Sequence, residues 1–253
     1  VIGGEAHGIV TGLVFFALLA LLNMIVELPF ELYSTFVIEE KHGFNRQTIR
    51  TFIIDRIKGI FIGALLGLPL LAAILWIMSN LGQMWWVYAW ALLSGFSLLT
   101  AWVYPTLLAP LFNKFSALDE GELKDSIYRL AKKIDFSASD ISVMDASKRS
   151  SHGNAYFTGV FGKKKIVLFD TLVDSLNPKE IVAVLAHELG HFKLHHVRWG
   201  LIRGFAINLL VFFLLSLTIG WSSFYEAFDL TAQTSYGALT VFSLWFGIIG
   251  FIL

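Results

Sequence analysis

Cysteine is absent from the chain, which excludes a disulfide scaffold and any thiolate-ligated metal site. The absence is compatible with either side of a membrane. Charge is also scarce. Asp, Glu, Lys and Arg make up 15% of the residues, where a soluble globular domain carries about 25%. Residue 1 is Val rather than Met, and no basic amino-terminal region with a cleavage site is visible. Leu253 falls inside an apolar run, so both ends read as cut and a longer parent protein is expected. No internal repeat or low-complexity tract is visible, and no nucleic-acid partner is expected.

What the chain has instead is hydrophobic length. Apolar residues make up 56% of it, and a hydrocarbon core needs roughly 20 of them in one helix. Five runs qualify, at about 8–26, 59–78, 85–112, 199–221 and 236–253. Trp85, Trp86, Trp199 and Trp221 stand at their ends, where an aromatic belt is expected. The expected fold is mainly α: a polytopic α-helical membrane protein with a small α+β domain between its third and fourth apolar runs. Residues 1–112 form a membrane region of three helices with one cytoplasmic loop, 28–58. Residues 113–198 are expected to form the α+β domain, and 199–253 a membrane region of two helices, the last incomplete.

Orientation follows from basic residues. All 19 Lys and Arg except Arg203 lie in two connections, 28–58 and 113–198, and none lies in 79–84 or 222–235. The positive-inside rule places the two basic connections in the cytoplasm. Polar residues in or beside the apolar runs (Asn23, Glu27, Arg203, Asn208) suit a polar chamber lining or interhelical hydrogen bonds.

Within the long connection, Leu123, Ile127, Leu130, Ala131 and Ile134 recur at helical spacing. Strand-like pieces follow at 141–145, 154–161 and 165–170, with Gly162 and the lysines after it as the turn between the last two. "NPKE" then opens a helix: Asn177 can cap it, Pro178 suits its first position, and Glu180 completes a capping box.

That helix carries "AHELGH". His187 and His191, four residues apart, project from one face, as two imidazole ligands of a tetrahedral zinc require. Glu188 beside them is the candidate catalytic base. Zinc would lower the pKa of water and polarise the scissile carbonyl. One Zn²⁺ per chain is expected, and it needs a third protein ligand. A metzincin histidine ten residues after His187 is excluded, because that position is Val197. Glu226 and Asp229 follow the motif, but the expected topology puts them across the membrane. His195 and His196 read as polar residues at the membrane boundary. His152 stays a candidate. The other answer is a ligand outside this sequence.

Four stretches, "FVIEEKHGFN", "KRSSHGNAYF", "KIVLFDTLV" and "VLAHELGHFKLHH", resemble the type I CAAX prenyl proteases, integral-membrane zinc metalloproteases. The resemblance covers nearly the whole chain. It implies seven membrane helices around a water-filled chamber, an active site on the cytosolic side, and a third ligand from a Glu in a later "E-F-x-A-D" helix. It also implies that Asn154, Ala155 and Tyr156 bind substrate as an edge strand. The implied substrate is a prenylated protein ending in Cys-a-a-X, or another membrane-associated peptide. The implied membrane is the endoplasmic reticulum of a eukaryote or the inner membrane of a bacterium. Two other functions compete: a quality-control membrane protease of the heat-shock type, and a non-enzymatic membrane scaffold with a degenerate protease domain. Oligomeric state and organism stay open.

Overall fold

A computed structural model describes residues 6–134, 136, 138–158, 164–230 and 234–252. The chain is mainly helical. Helix α1 (Ala6–Tyr33) continues through a wider π-type segment, Ser34–Glu39. Helix α2 (Ile49–Asn80) follows, then α3 (Trp85–Val103), a second π-type segment (Tyr104–Leu108) and α4 (Ala109–Phe112). After a mixed α/β stretch come α8 (His196–Thr218), α9 (Ser222–Glu226) and α10 (Ser235–Ile252).

Among the described residues, four helices are long and apolar enough to cross a membrane: Gly8–Glu39, Ile49–Asn80, Gly82–Phe112 and His196–Thr218. The fifth expected run is α10, whose last residues lie partly outside the described side chains. Large apolar side chains on α1 and α2 such as Leu18, Phe30, Phe61 and Leu65 are exposed; lipid is the solvent such surfaces suit. This is an integral, multi-pass membrane protein.

The 28–58 connection is mostly helix rather than loop, because α1 with its π-type extension and α2 run well beyond the apolar runs. The bend between them closes at Gly43, whose φ of +73° only glycine adopts freely. Phe44 N–H there donates to Glu39 C=O at 2.8 Å, ending the helix in the usual left-handed manner.

The chain divides into two compact units. One comprises residues 1–28, 59–96 and 202–253. Its core gathers Met78, Trp85, Ala89, Phe212, Tyr225, Val241 and Phe242. Trp85 is only 5% exposed and packs edge-on to Phe212. It belongs to that core rather than to an interfacial belt, because a neighbouring helix covers it; Trp199 and Trp221 are exposed. Gly12 lets α1 approach closely, since a Cβ there would stand 2.8 Å from Leu75 Cδ1 and 3.3 Å from Tyr236 Cβ. Asn23 donates to Glu27 within its own helix at 3.0 Å, so the bond this pair makes is intrahelical, and both side chains are exposed.

The other unit comprises residues 29–58 and 97–201. It contains a four-stranded sheet in the order β1 (Phe115–Ala117), β2 (Ala138–Met144), β4 (Lys164–Phe169), β3 (Ala155–Thr158). β2 and β4 are parallel; the other two pairs are antiparallel. Helices α5 (Glu122–Lys133) and α7 (Pro178–Lys193) cover one face, with short α6 (Asp170–Ser175) leading into α7. Ile166 and Leu168 point into the core beneath these helices, and Val167 into a smaller cluster with Met144 and Ala146. This is the alternation a pleated strand imposes. The expected turn at Gly162, and residues 159–161 of the expected strand, lie outside the described residues.

Candidate metal centre and substrate edge

Helix α7 starts as its sequence predicts. Asn177 Oδ1 accepts from the N–H groups of Lys179 and Glu180 at 3.0 and 3.1 Å, and Glu180 Oε2 accepts from Asn177 N–H at 2.9 Å. This reciprocal cap satisfies three backbone donors and sets the helix's rotational start. Ile181, Leu185 and Leu189, each four residues apart, are fully buried in the core. The opposite face therefore points away from the sheet, and it carries His187 and His191, both exposed. Glu188 lies between the two faces, half-buried.

The Nε2 atoms of His187 and His191 stand 3.3 Å apart, with their rings nearly perpendicular. Two imidazole nitrogens bound tetrahedrally at about 2.0–2.1 Å from one zinc ion would be separated by about 3.3 Å. The separation of the pair is thus the one that two ligands of a tetrahedral ion would have. The third ligand is another matter: among the described residues no three His, Asp or Glu side chains come together to hold a metal. His152 is in no such group, and its ring stacks on Phe44 with centroids 4.3 Å apart. Glu226 and Asp229 are exposed and belong to the unit that does not contain the motif. His195 and His196 stand where α7 breaks into α8. His195 is left-handed, with φ +56°, and His196 lies against the far nitrogen of His191, Nδ1 to Nδ1 at 2.6 Å.

β3 runs alongside α7 at the edge of the sheet, paired only with β4 among the described strands. Phe169 N–H donates to Asn154 C=O at 2.9 Å. With Tyr156 opposite Val167 and Phe157 opposite Ile166, the antiparallel alternation turns the main chain of Tyr156 toward β4. It turns those of Ala155 and Phe157 outward. Asn154 Oδ1 occupies the outward Ala155 N–H at 2.8 Å. That leaves the Ala155 carbonyl and both Phe157 groups as edge positions for an added strand. Phe157 carries no sequence signal for this role, because which groups face outward depends on the pairing. The Tyr156 phenol packs on the other face, beside Phe169. Burial first, then the neighbouring Tyr104, pushes its pKa above the ordinary tyrosine value.

What positions this strand is a clamp just before it. Arg149 grips Asp55 through two nitrogens at 2.7 and 3.1 Å, and reaches Asn113 Oδ1 and Phe112 C=O at 2.7 Å each. The residues after it pair with the α1–α2 bend: Ser151 N–H donates to Phe44 C=O at 2.9 Å, and Asn45 bridges Ser150. "KHGFN" and "KRSSHGN" are therefore two halves of one brace. Gly153 fits closely within it: a Cβ there would stand 3.2 Å from Leu172 Cδ1.

Comparison with known proteins agrees in extent and order. Residues 2–114 match the family profile described as CAAX prenyl protease N-terminal, five membrane helices, and residues 117–252 match peptidase family M48. A CAAX prenyl protease 1 homolog from Arabidopsis thaliana is 49% identical over 75% of this chain and 44% of its own length. That from Homo sapiens is 37% identical over 96% of this chain and 59% of its own. The crystal structure of S. mikatae Ste24p superposes with a TM-score of 0.88 at 37% identity, over 96% of this chain and 60% of that one. The chain spans about half the length of the curated relatives it matches.

Proposed function

The chain belongs to the CAAX prenyl proteases of peptidase family M48, and on that footing we propose that it carries the catalytic helix of a zinc-dependent membrane endopeptidase. The reaction is hydrolysis of a peptide bond near the carboxyl terminus of a prenylated CaaX-type or other membrane-associated protein. The observation that carries the reading is the pair of exposed Nε2 atoms 3.3 Å apart on a capped helix.

Family membership implies a metal; zinc, one per chain, is the ion that two imidazoles at this spacing suit. His187 and His191 hold it. The third protein ligand comes from residues outside this sequence. When bound, the ion supplies Lewis-acid polarisation of the scissile carbonyl and makes water more acidic. Glu188 takes a proton from the attacking water on its carboxylate and delivers it to the departing amine nitrogen as the C–N bond breaks. The substrate lies along β3 as an added strand. Its backbone is held by the Ala155 carbonyl and Phe157; Asn154 leads into that edge, and Tyr156, between the two outward residues, anchors it to β4. Residues 113–198 form the catalytic domain, facing the cytoplasm, with the lipid bilayer as the protein's other partner.

The test uses the full-length protein with a farnesylated CaaX peptide and, in parallel, an unfolded membrane protein. Cleavage of the first in preference to the second supports this reading over quality-control proteolysis. Glu188→Gln should keep stoichiometric zinc and lose at least about a thousandfold in turnover. His187→Ala should lose the zinc as well. Unchanged turnover in the first variant, or full metal occupancy in the second, would overturn the assigned roles.

A further inference from the structure

We propose that His196 is a positioning residue for the metal centre, acting through His191; the inference rests on the reading of His187 and His191 as metal ligands. A ligating histidine needs its other ring nitrogen anchored, because that bond fixes both the tautomer and the orientation of the ring. Among the described residues His191 Nδ1 meets one such partner, the Nδ1 of His196 at 2.6 Å. The ring centroids are 4.8 Å apart.

The proton count works in one arrangement. The Nδ1–H of His191 donates to the Nδ1 lone pair of His196, whose own proton sits on Nε2. His191 Nε2 is then left with a free lone pair, on the side facing His187 Nε2. His196 therefore cannot be the missing third ligand, since it stands on the opposite side of the His191 ring from the site.

The backbone is built to bring it there. Five residues along a straight helix is a rotation of about 140° from the starting face, which would carry His196 away from His191. The helix breaks instead. Leu194 N–H still bonds Gly190 C=O, and His195 N–H bonds Phe192 C=O. His195 then turns left-handed at φ +56°, and its carbonyl starts α8 by accepting from Trp199 N–H. A non-glycine residue is held in a costly conformation at the one joint that folds His196 back onto His191.

The experiment compares full-length wild-type protein with His196→Ala and His196→Asn, reading zinc affinity by competition with a chromophoric chelator and melting of the zinc-free protein. Asparagine places an acceptor oxygen at about the distance of Nδ1 from the backbone. His196→Ala should bind zinc about 10–100-fold more weakly, and His196→Asn should recover most of that loss. Neither should change zinc-free melting. The inference is overturned if the alanine variant binds zinc as tightly as wild type. It is also overturned if the loss tracks a drop in zinc-free melting that asparagine does not rescue. A wild-type protein that takes up no stoichiometric zinc would overturn the metal reading itself, and this inference with it.

Discussion

Tyr156 shows how one side chain can report on the proposed substrate edge. Its main chain is committed to β4, while burial, reinforced by Tyr104, holds its phenol protonated beyond the ordinary range. The unfolded chain ionises near the ordinary value of about 10, and the native state only above it. Native stability therefore falls as pH rises through that value, because deprotonation favours the unfolded state there. A difference titration of phenolate absorbance between wild type and Tyr156→Phe should show one phenol titrating later than the bulk, and Tyr156→Phe should melt with a shallower decline at alkaline pH. A missing phenol that titrates with the bulk would contradict this placement. At this scale the sequence is unevenly legible. His187, Glu188 and His191 are readable because a regular helix fixes where residues one and four apart point. The partners of His191 and His152 are not, because each depends on a bend: the left-handed His195 in one case and the Gly43 turn in the other.

Between elements, the brace of Arg149, Asp55 and the α1–α2 bend decides where β3 begins. The Arg149 and Asp55 side chains are 22% and 18% exposed, so the pair is shielded enough to matter, and leaving one partner unpaired is costly. Arg149→Ala should destabilise the protein by about 2–4 kcal/mol. Arg149→Lys should lose about half of that, because an ammonium cannot make the two-pronged contact. A double-mutant cycle with Asp55→Asn should give a coupling energy of at least about 1 kcal/mol; additive melting shifts would show that the contact contributes nothing. If substrate lies along β3 as proposed, its KM should rise in the same variants, since β3 follows directly from the brace. The sequence shows α7 plainly, because Asn177, Pro178 and Glu180 form a local signal. Neither the brace nor the π-type segment at Tyr104–Leu108 is readable this way. The brace joins residues 94 apart along the chain. In the π-type segment Pro105 lacks the N–H that a regular helix would use.

For the whole molecule, charge and hydropathy make a claim that side-chain geometry does not. Every Lys and Arg but Arg203 lies in two of the connections between apolar runs, and an odd number of crossings separates residues 79–84 from 113–198. The third apolar run, at about 85–112 and within the candidate span Gly82–Phe112, is the crossing between them. We therefore expect Gln83 and Asp119, both exposed, to sit on opposite sides of the bilayer, with Asp119 cytoplasmic. The absence of cysteine from this chain makes the question accessible. Gln83→Cys and Asp119→Cys can be introduced singly into the full-length protein, with any thiols elsewhere replaced. A membrane-impermeant maleimide is then applied to sealed vesicles of known orientation and again after detergent. With the cytoplasmic face outward, Asp119→Cys should label at once and Gln83→Cys only after detergent. Equal labelling before detergent would put both sites on one side, which breaks the crossing count. Reversed labelling would keep the count but place the His187–His191 face away from the cytoplasm, on the wrong side of the membrane for the proposed prenylated cytosolic substrate.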